Sequence, residues 1–362
     1  FRIMFDMCND AVGVKEIRTV GGPHSLFRRA RVLASGQIVE DIDDYNRTHE
    51  MFEILQASGV RSNNAIEGFG INYDMKRALG RKTALAVTNK DNYRGILAGD
   101  RRTVCFKPLC GIFNQEKYIP LRYCPLTIEL ELVSNFEDVV VWPADLVSPT
   151  TDGFGQNNCS KQWHLEQVNA KMDLCTLDSG VTNTFAKHLL ENGMMPINYN
   201  TFITQNQMIT DPKHTSTVTR SLTRLKSVFC TLDGEGYGEL LGEFRKPWND
   251  FYHPSDDISV FRKSDDVRFG IQIGSKRFPE NEIESLSEAF YQLRKTMGLH
   301  SSSYDGLDID FFDYRSTKFV LGIDCEKIPE VGFSGLNTKQ GDIMTIKVGQ
   351  QGVSPATRMA NR

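Results

Sequence analysis

The side chains best suited to chemistry lie near the carboxyl end of the chain, where acidic residues follow a histidine. They are His300, Asp305, Asp308, Asp310 and Asp313. Carboxylate oxygens at such spacing are the ligands that a hard cation prefers. However, apolar residues alternate with Asp308 and Asp310, which is the pattern of a strand with one face in solvent. The acidic cluster therefore predicts a solvated strand surface rather than a metal site.

Two glycine-rich motifs fall short of known catalytic patterns. The run Asp233-Gly234-Glu235-Gly236 predicts a turn, because it lacks the lysine and the strand-to-helix context of a phosphate-binding loop. The run Gly332-Phe333-Ser334-Gly335 differs from the G-x-S-x-G nucleophile elbow, because its second glycine comes too early. Neither motif predicts a nucleophile or a phosphate site.

The other candidate ligands are histidines that have no companion at metal-ligand spacing: His164, His188, His214 and His253. We therefore predict no catalytic, cofactor-binding or metal-binding residue. The expected protein is not an enzyme and needs no cofactor.

The elements around these residues are predicted to be mainly strands, most clearly in residues 101–133. Residues 103–113 are dense in β-forming types, and residues 114–117 form a polar break. From Leu126 to Leu132, apolar residues alternate with Thr127, Glu129 and Glu131. This period of two predicts a strand whose apolar face is buried and whose other face meets water or a partner. Short strands with frequent turns indicate a sandwich or a barrel.

Two segments carry a helical period instead. In residues 38–56, Tyr45, Met51 and Leu55 can share one helical face. Residues 281–297 form the clearest predicted helix, with Asn281 as its cap and Gly298 at its end. A short, polar and partly helical connection at 179–192 separates two strand-rich halves, and we place the domain boundary there.

Length, charge and hydropathy limit the class of protein. A chain of 362 residues is long enough for about two domains. No stretch approaches the roughly 18 consecutive apolar residues that a membrane span needs. The net charge of −4 provides no basic field, so direct, sequence-specific nucleic-acid binding is not expected.

The eight cysteines contain no C-x-x-C pair, and most lie in apolar runs. This pattern predicts buried free thiols rather than zinc ligands or a disulfide framework. It favours assembly in a reducing compartment.

Five stretches, spread in order over nearly the whole chain, resemble the double jelly-roll major capsid proteins of eukaryotic double-stranded DNA viruses. The resemblance is to the polinton, polinton-like virus, virophage and adintovirus group, and more distantly to the nucleocytoplasmic large DNA viruses. The stretches are SLFRRARVLASGQIVEDIDDYNRTHEM (25–51), CGIFNQEKYIPLRYCPLTIELEL (110–132), TRSLTRLKSVFCTL (219–232), IQIGSKRFPENEIESLSEAFYQL (271–293) and KFVLGIDCEKIPEVGFSGLNTKQGD (318–342).

The resemblance implies an all-β fold of two consecutive eight-stranded jelly rolls with short helical insertions. The expected domains are an N-terminal jelly roll at 1–178, a linker at 179–195 and a C-terminal jelly roll at 196–362. Three copies would form a pseudo-hexameric trimer that tiles an icosahedral shell. The implied partners are the chain itself, neighbouring capsomers, and penton and minor capsid proteins, and the implied location is the virion, assembled inside the host cell.

One polar-aromatic loop at 246–252, KPWNDFY, has two interpretations. Trp248 and Phe251 either make trimer contacts or fill a local core. The resemblance also implies that the termini, which here are Phe1 and Arg362, continue in a longer protein.

Two rival functions differ from a major capsid protein. The first is a two-domain β-sandwich enzyme or lectin acting on glycans, which needs paired carboxylates and stacking aromatics in a cleft. The chain has only three tryptophans, none beside a convincing carboxylate pair. The second is a minor capsid or vertex protein, typically a single jelly roll. The sequence leaves open the host, the shell size, the minor proteins and an internal membrane.

Overall fold

The structure is a computed structural model of the chain. It describes residues 1–13, 16–17, 19, 21–57, 59–61, 68, 96–133, 160, 162–209, 213–232, 249, 251, 253, 267–299, 306–309, 314, 318–326, 334–339 and 343–350. These residues fall into two compact units. Unit 1 includes the described parts of 1–50 and 88–204, and unit 2 includes those of 51–62 and 205–362.

Unit 1 is built from antiparallel strands that pair over long sequence distances. Its strands are β1 (Arg2–Asn9), β2 (Glu16–Ile17), β3 (Phe27–Ala34), β4 (Gln37–Ile42), β5 (Ile96–Leu97), β6 (Arg101–Phe106), β7 (Leu126–Leu132) and β8 (Trp163–Lys171). They form sheets in the orders β6-β1-β8, β4-β3-β7 and β2-β5. The helical elements are a 3₁₀ turn (Pro23–Leu26), α1 (Tyr45–Ile54), α2 (Gly111–Asn114) and α3 (Ser179–Asn192). The last turn of α1, from Met51, belongs to unit 2.

The core of unit 1 lies on one face of β1. Ile3, Phe5 and Met7 alternate along this strand and are at most 3% exposed, because successive strand residues point to opposite faces. Phe5 packs edge to face against Phe27 and Phe106, with ring centroids 5.7 and 6.4 Å away. The opposite face of β1, which carries Cys8, lies outside this core.

Strand β7 has the predicted position and period, but its apolar face is only partly buried. Leu126, Ile128 and Leu130 are half-buried, and Leu132 is 45% exposed. The prediction of a buried face was therefore too strong, because β7 is the edge strand of its sheet. Its polar face meets solvent, where Glu129 lies 3.4 Å from Arg31 of β3.

Residues 103–113 do not continue as strand beyond Phe106, which corrects the prediction for this stretch. The chain turns into the single helical turn α2, whose first amide groups are held by a carboxylate from β4. The backbone N–H groups of Gly111 and Ile112 donate to Glu40, at 3.0 and 2.6 Å from its two carboxylate oxygens. Glu40 is almost fully buried, so it fastens α2 to the sheet.

Burial raises the pKa of Glu40 to about 7 from its ordinary value of 4.5, although the two backbone donors act in the opposite direction. Between these pH values the folded protein keeps a proton that the unfolded chain has released. Stability from this group therefore falls as pH rises from about 4.5 to 7. We expect the unfolding free energy of the wild type to lose on the order of 2 kcal/mol over this range relative to Glu40→Gln.

Urea unfolding at a series of pH values measures this difference. Glu129→Gln is the matched control, because it removes a carboxylate from the solvent side of β7. If Glu40→Gln and the wild type show the same pH slope, the assignment of this titration to Glu40 is wrong.

Unit 2 repeats the antiparallel pattern. Its strands are β9 (Lys213–Val218), β10 (Ser227–Cys230), β11 (Val267–Ile273), β12 (Lys276–Ile283), β13 (Leu321–Asp324) and β14 (Met344–Gln350), and its helix is α4 (Leu286–Thr296). The sheet orders are β12-β11-β14-β9 and β10-β13. No strand forms in residues 197–209.

The core of unit 2 includes alternate residues of β11. Val267, Phe269, Ile271 and Ile273 are all buried, and β11 has a strand on each side. Phe251 is fully buried in the same core. Of the two interpretations of the polar-aromatic loop, the local core is thus correct for Phe251, whereas Trp248 lies outside the described residues.

The helix α4 begins five residues later than predicted. Asn281 belongs to β12, and the N-cap is Ser285, whose hydroxyl accepts from the Glu288 N–H at 3.2 Å. Ser285 and Glu288 have the spacing of a capping box, with Glu288 also accepting from the Glu284 N–H at 3.3 Å. This local pairing is a stronger start signal than an isolated asparagine. Gly298, with φ of +74°, follows the helix end as predicted.

The seven cysteines that the structure describes are all free thiols. Cys8, Cys110 and Cys325 are buried, and Cys175 is exposed. Within the described part of the chain, no helix is both long and apolar enough to cross a membrane.

Candidate functional surface

The longest continuous exposed stretch of the described chain runs from β8 to residue 209. None of the described residues from Trp163 to Ile209 is buried. Among the described strands, β8 pairs with β1 alone and lies at the edge of its sheet. The middle of this stretch, residues 172–198, includes α3, and we call it the α3 arm.

The α3 helix is defined by strong local signals. The Asp178 side chain caps it by accepting from the Gly180 N–H at 3.0 Å. At the other end, Gly193 adopts a left-handed conformation, and its N–H donates to the Leu189 carbonyl at 2.9 Å. Yet none of the helix residues is buried. Isolated helices of this length are marginal in water, and packing normally supplies most of their stability.

The chain is fastened to unit 1 on both sides of the α3 arm. Before the arm, β8 is paired with β1. After it, the Tyr199 hydroxyl donates to the Val39 carbonyl at 3.2 Å, and the Thr204 hydroxyl donates to the Asp43 carbonyl at 2.6 Å. The arm is therefore a loop with two fixed ends rather than a free tail.

The composition of the arm is that of a contact surface. Its charged residues are Asp173, Asp178, Lys187 and Glu191. Its most exposed apolar residues are Leu174, Leu190 and Met194, which are 74%, 87% and 71% exposed. Few charged residues together with methionine are features of the buried centre of protein interfaces, and large apolar side chains this exposed are the kind of surface that interaction sites use. The α3 arm is thus suited to packing against another protein chain.

Of the acidic cluster that the sequence singled out for metal binding, the structure describes Asp308. Asp308 is exposed, while its neighbours Leu307 and Ile309 are half-buried against the core of unit 2. The Lys318 ammonium lies 3.3 Å from the backbone carbonyl of Asp308. This alternation of exposure agrees with one solvated face, but residues 306–309 do not form a strand. The other members of the cluster lie outside the described residues: His300, Asp305, Asp310 and Asp313.

The two glycine-rich motifs are described only in part. In the run 332–335, Ser334 is buried, and the two residues before it lie outside the described residues. The other motif, residues 233–236, lies entirely outside them.

The two described histidines of unit 2, His214 and His253, lie against strand or core residues. His253 packs edge to face on Phe319, with ring centroids 4.5 Å apart, and His214 lies opposite Val348 in the β9–β14 pair.

His164 has a different environment, which its sequence position does not reveal. It lies directly opposite Cys8 in the β1–β8 pair. Its Nδ1 is 2.6 Å from Asp10 Oδ2, and its Nε2 is 3.1 Å from Glu166 Oε1. A nitrogen of His164, the Cys8 sulfur and a carboxylate oxygen of Glu166 all lie within 4.8 Å of one another.

The charges around this group alter its titration. Hydrogen bonds to Asp10 and then Glu166 raise the pKa of His164 above its ordinary value. Burial, followed by the negative charge of Glu166, raises the pKa of the Cys8 thiol. The sequence reasoning missed this group because its members come from opposite ends of unit 1. The one local signal in the sequence is that Glu166 follows His164 by two residues. That spacing of a histidine and a carboxylate is common in strands without a metal.

The chain was compared with known proteins by sequence and by structure. No protein-family model and no curated protein sequence matches it. Among solved structures, it is similar to VP54 of the virus PBCV-1, in a crystal structure fitted into a cryo-electron-microscopy reconstruction of the virophage Sputnik. The TM-score is 0.54 at 13% identity, covering 99% of this chain and 79% of VP54. A quasi-atomic model of the PBCV-1 virus capsid gives a TM-score of 0.47 at 13% identity, with coverages of 99% and 83%.

The similarity to VP54 extends over almost the full chain, so it concerns both units. Together with the antiparallel sheets and few short helices, it confirms the predicted all-β double jelly-roll fold. The eight described strands of unit 1 equal the number expected for one jelly roll. The glycan-active enzyme or lectin receives no support from these neighbours.

Proposed function

We propose that this chain is a major capsid protein, which acts by self-association rather than by catalysis. Three copies form a pseudo-hexameric capsomer, and the capsomers tile an icosahedral virion shell. We place the boundary between the N-terminal and C-terminal jelly rolls at 179–195, in the last part of unit 1 and shortly before residue 205, where unit 2 resumes. The location of the protein is the virion, after assembly inside the host cell.

The observation that carries this proposal is the similarity to VP54 over 99% of the chain. A protein of that fold has been fitted into a virophage reconstruction. Two rigid sandwiches of antiparallel strands suit a tiling subunit, because packed cores resist deformation while loops provide the contacts.

The α3 arm supplies the second line of support, and we assign a neighbouring copy of the same chain as its partner. The arm is fixed at both ends, so it presents the same apolar surface in every copy. In a closed ring of three copies each such surface meets the next subunit, and no copy is left unpaired. Standard interfaces bury roughly 800 Å² on each partner.

The proposed partners beyond the trimer are neighbouring capsomers and the penton and minor capsid proteins that close a shell. The proposal includes no sequence-specific nucleic-acid contact. With a net charge of −4, the chain lacks the excess of positive charge that binding to phosphate backbones over a broad surface requires.

Size-exclusion chromatography with light scattering tests the proposal directly. We expect a particle of about three times the chain mass of 41.0 kDa, or larger closed assemblies. Electron microscopy of the same fraction should show compact particles with a roughly hexagonal outline. A protein that stays monomeric at all accessible concentrations contradicts the proposal, and glycan binding on arrays would then test the enzyme or lectin alternative.

A further inference from the structure

We propose that Cys8, His164 and Glu166 bind a divalent metal ion of the zinc class on the outer face of the β6-β1-β8 sheet. This site departs from the sequence-based expectation that the chain binds no metal. It does not depend on the proposed capsid function, because all its residues belong to unit 1.

The strand register brings the three donors together. Cys8 and His164 are direct partners across β1 and β8, and Glu166 follows His164 by two residues, so it returns to the same face. Cys8 is on the face of β1 opposite to the core residues Phe5 and Met7. The three ligand atoms lie within 4.8 Å of one another, a separation that small side-chain movements can close around one ion.

The orientation of His164 is the one that metal-binding histidines show. Such histidines ligate with one nitrogen and donate the other N–H to a carboxylate, which fixes the tautomer and the ring. Here Nδ1 is 2.6 Å from Asp10 Oδ2, while Nε2 faces Glu166 at 3.1 Å. Asp10 is therefore the positioning residue, and the ion would lie between Nε2, Glu166 and Cys8.

The local charge favours a cation. Asp6, Asp10 and Glu166 all act on Cys8 as negative charges, opposed by the single positive charge of Arg101. Arg101 lies 3.9 Å from Glu166, at the limit of an ion pair. A divalent ion would balance this excess of carboxylates.

The donor set selects the kind of ion. A thiolate and an imidazole favour Zn²⁺ over Mg²⁺ and Ca²⁺, which prefer oxygen ligands. Three protein ligands leave a fourth position for water. His164 and Glu166 are exposed, so the ion can enter from solvent. A bound ion would fasten the edge strand β8 to β1, directly before the α3 arm.

Metal titration of the full, reduced and chelator-treated protein tests this site. We expect one Zn²⁺ per chain by calorimetry and a rise in Tm on Zn²⁺ addition. Co²⁺ should give a thiolate charge-transfer band in the near ultraviolet, which Cys8→Ser removes. Asp10→Asn should weaken Zn²⁺ binding by about 10–100-fold while the Co²⁺–thiolate band remains.

The variants separate this site from adventitious binding. His164→Asn alters an exposed side chain, so it tests the site even if Cys8→Ser does not fold. Cys175→Ser and His188→Asn are matched controls, because both side chains are exposed on the α3 arm. Absence of stoichiometric binding overturns the proposal, and so does undiminished binding in His164→Asn. Trimer formation in the same samples is a separate readout that bears only on the proposed function.

Discussion

The double substitution Leu174→Asp/Leu190→Asp is expected to convert the proposed trimer into monomers that remain folded. Both leucines are largely exposed in the single chain, at 74% and 87%, so charges there cost the protomer little. In the assembled trimer each new carboxylate would be buried against a neighbouring copy. An uncompensated buried charge costs several kcal/mol, and the ring contains three equivalent contacts.

Light scattering measures the loss of the trimer, and circular dichroism verifies that the protomer is folded. Leu174→Met/Leu190→Met is the matched control, because it keeps two apolar side chains of similar volume and should remain trimeric. If the aspartate variant assembles as well as the wild type, the α3 arm is not the contact between copies. The proposed trimer would then require a different contact surface between its copies.

Phe269→Ala is expected to destabilise unit 2 by about 3–5 kcal/mol, which is the usual cost of emptying a buried aromatic site. Phe269 is fully buried in β11, between strands on both sides, so the neighbours cannot readily collapse into the cavity. Folded proteins are typically stable by only about 5–15 kcal/mol. The substitution therefore removes a large fraction of the margin, and we expect lower soluble yield and an earlier urea transition.

Val12→Ala provides the control, because Val12 is 88% exposed and its truncation leaves no cavity. Urea unfolding followed by circular dichroism compares the two variants. A loss below about 1 kcal/mol in Phe269→Ala would show that the core of unit 2 is looser than the structure indicates.

Leu130→Asp in the edge strand β7 should lower the unfolding free energy by less than Phe269→Ala does, because Leu130 is only half-buried.

The sequence predicted elements well where one period dominates. The alternation of apolar and polar residues from Leu126 to Leu132 predicted β7 at its observed bounds, because successive side chains of a strand point to opposite faces. The start of α4 was predicted wrongly at Asn281, since the residues before Ser285 are also compatible with a strand. They pair with β11 as the second arm of a hairpin, and strand formation depends on packing against a neighbouring strand, which the local pattern of these residues does not show.

The candidate surfaces were predicted less completely than the fold. Residues 179–192 were expected as a partly helical connection, and the structure makes all of them helix. Its lack of buried residues could not be read from sequence, because α3 carries enough apolar residues to pass for a core helix. The group around His164 depends on a contact with Cys8 across 156 positions of sequence, and no local spacing encodes the β1–β8 register.

That register has a consequence for how the protein is made. β1 lies between β6 and β8, so it leaves the ribosome well before β8 and obtains its last partner only after Lys171 has been synthesised. Until then one edge of β1 carries unpaired amide groups, which neighbouring nascent chains can bind. Such non-local pairing also slows folding. When many ribosomes translate one messenger RNA rapidly, the exposed edges of neighbouring β1 strands can therefore aggregate. Slower translation, or binding of a chaperone before residue 171 is made, should raise the yield of folded chains.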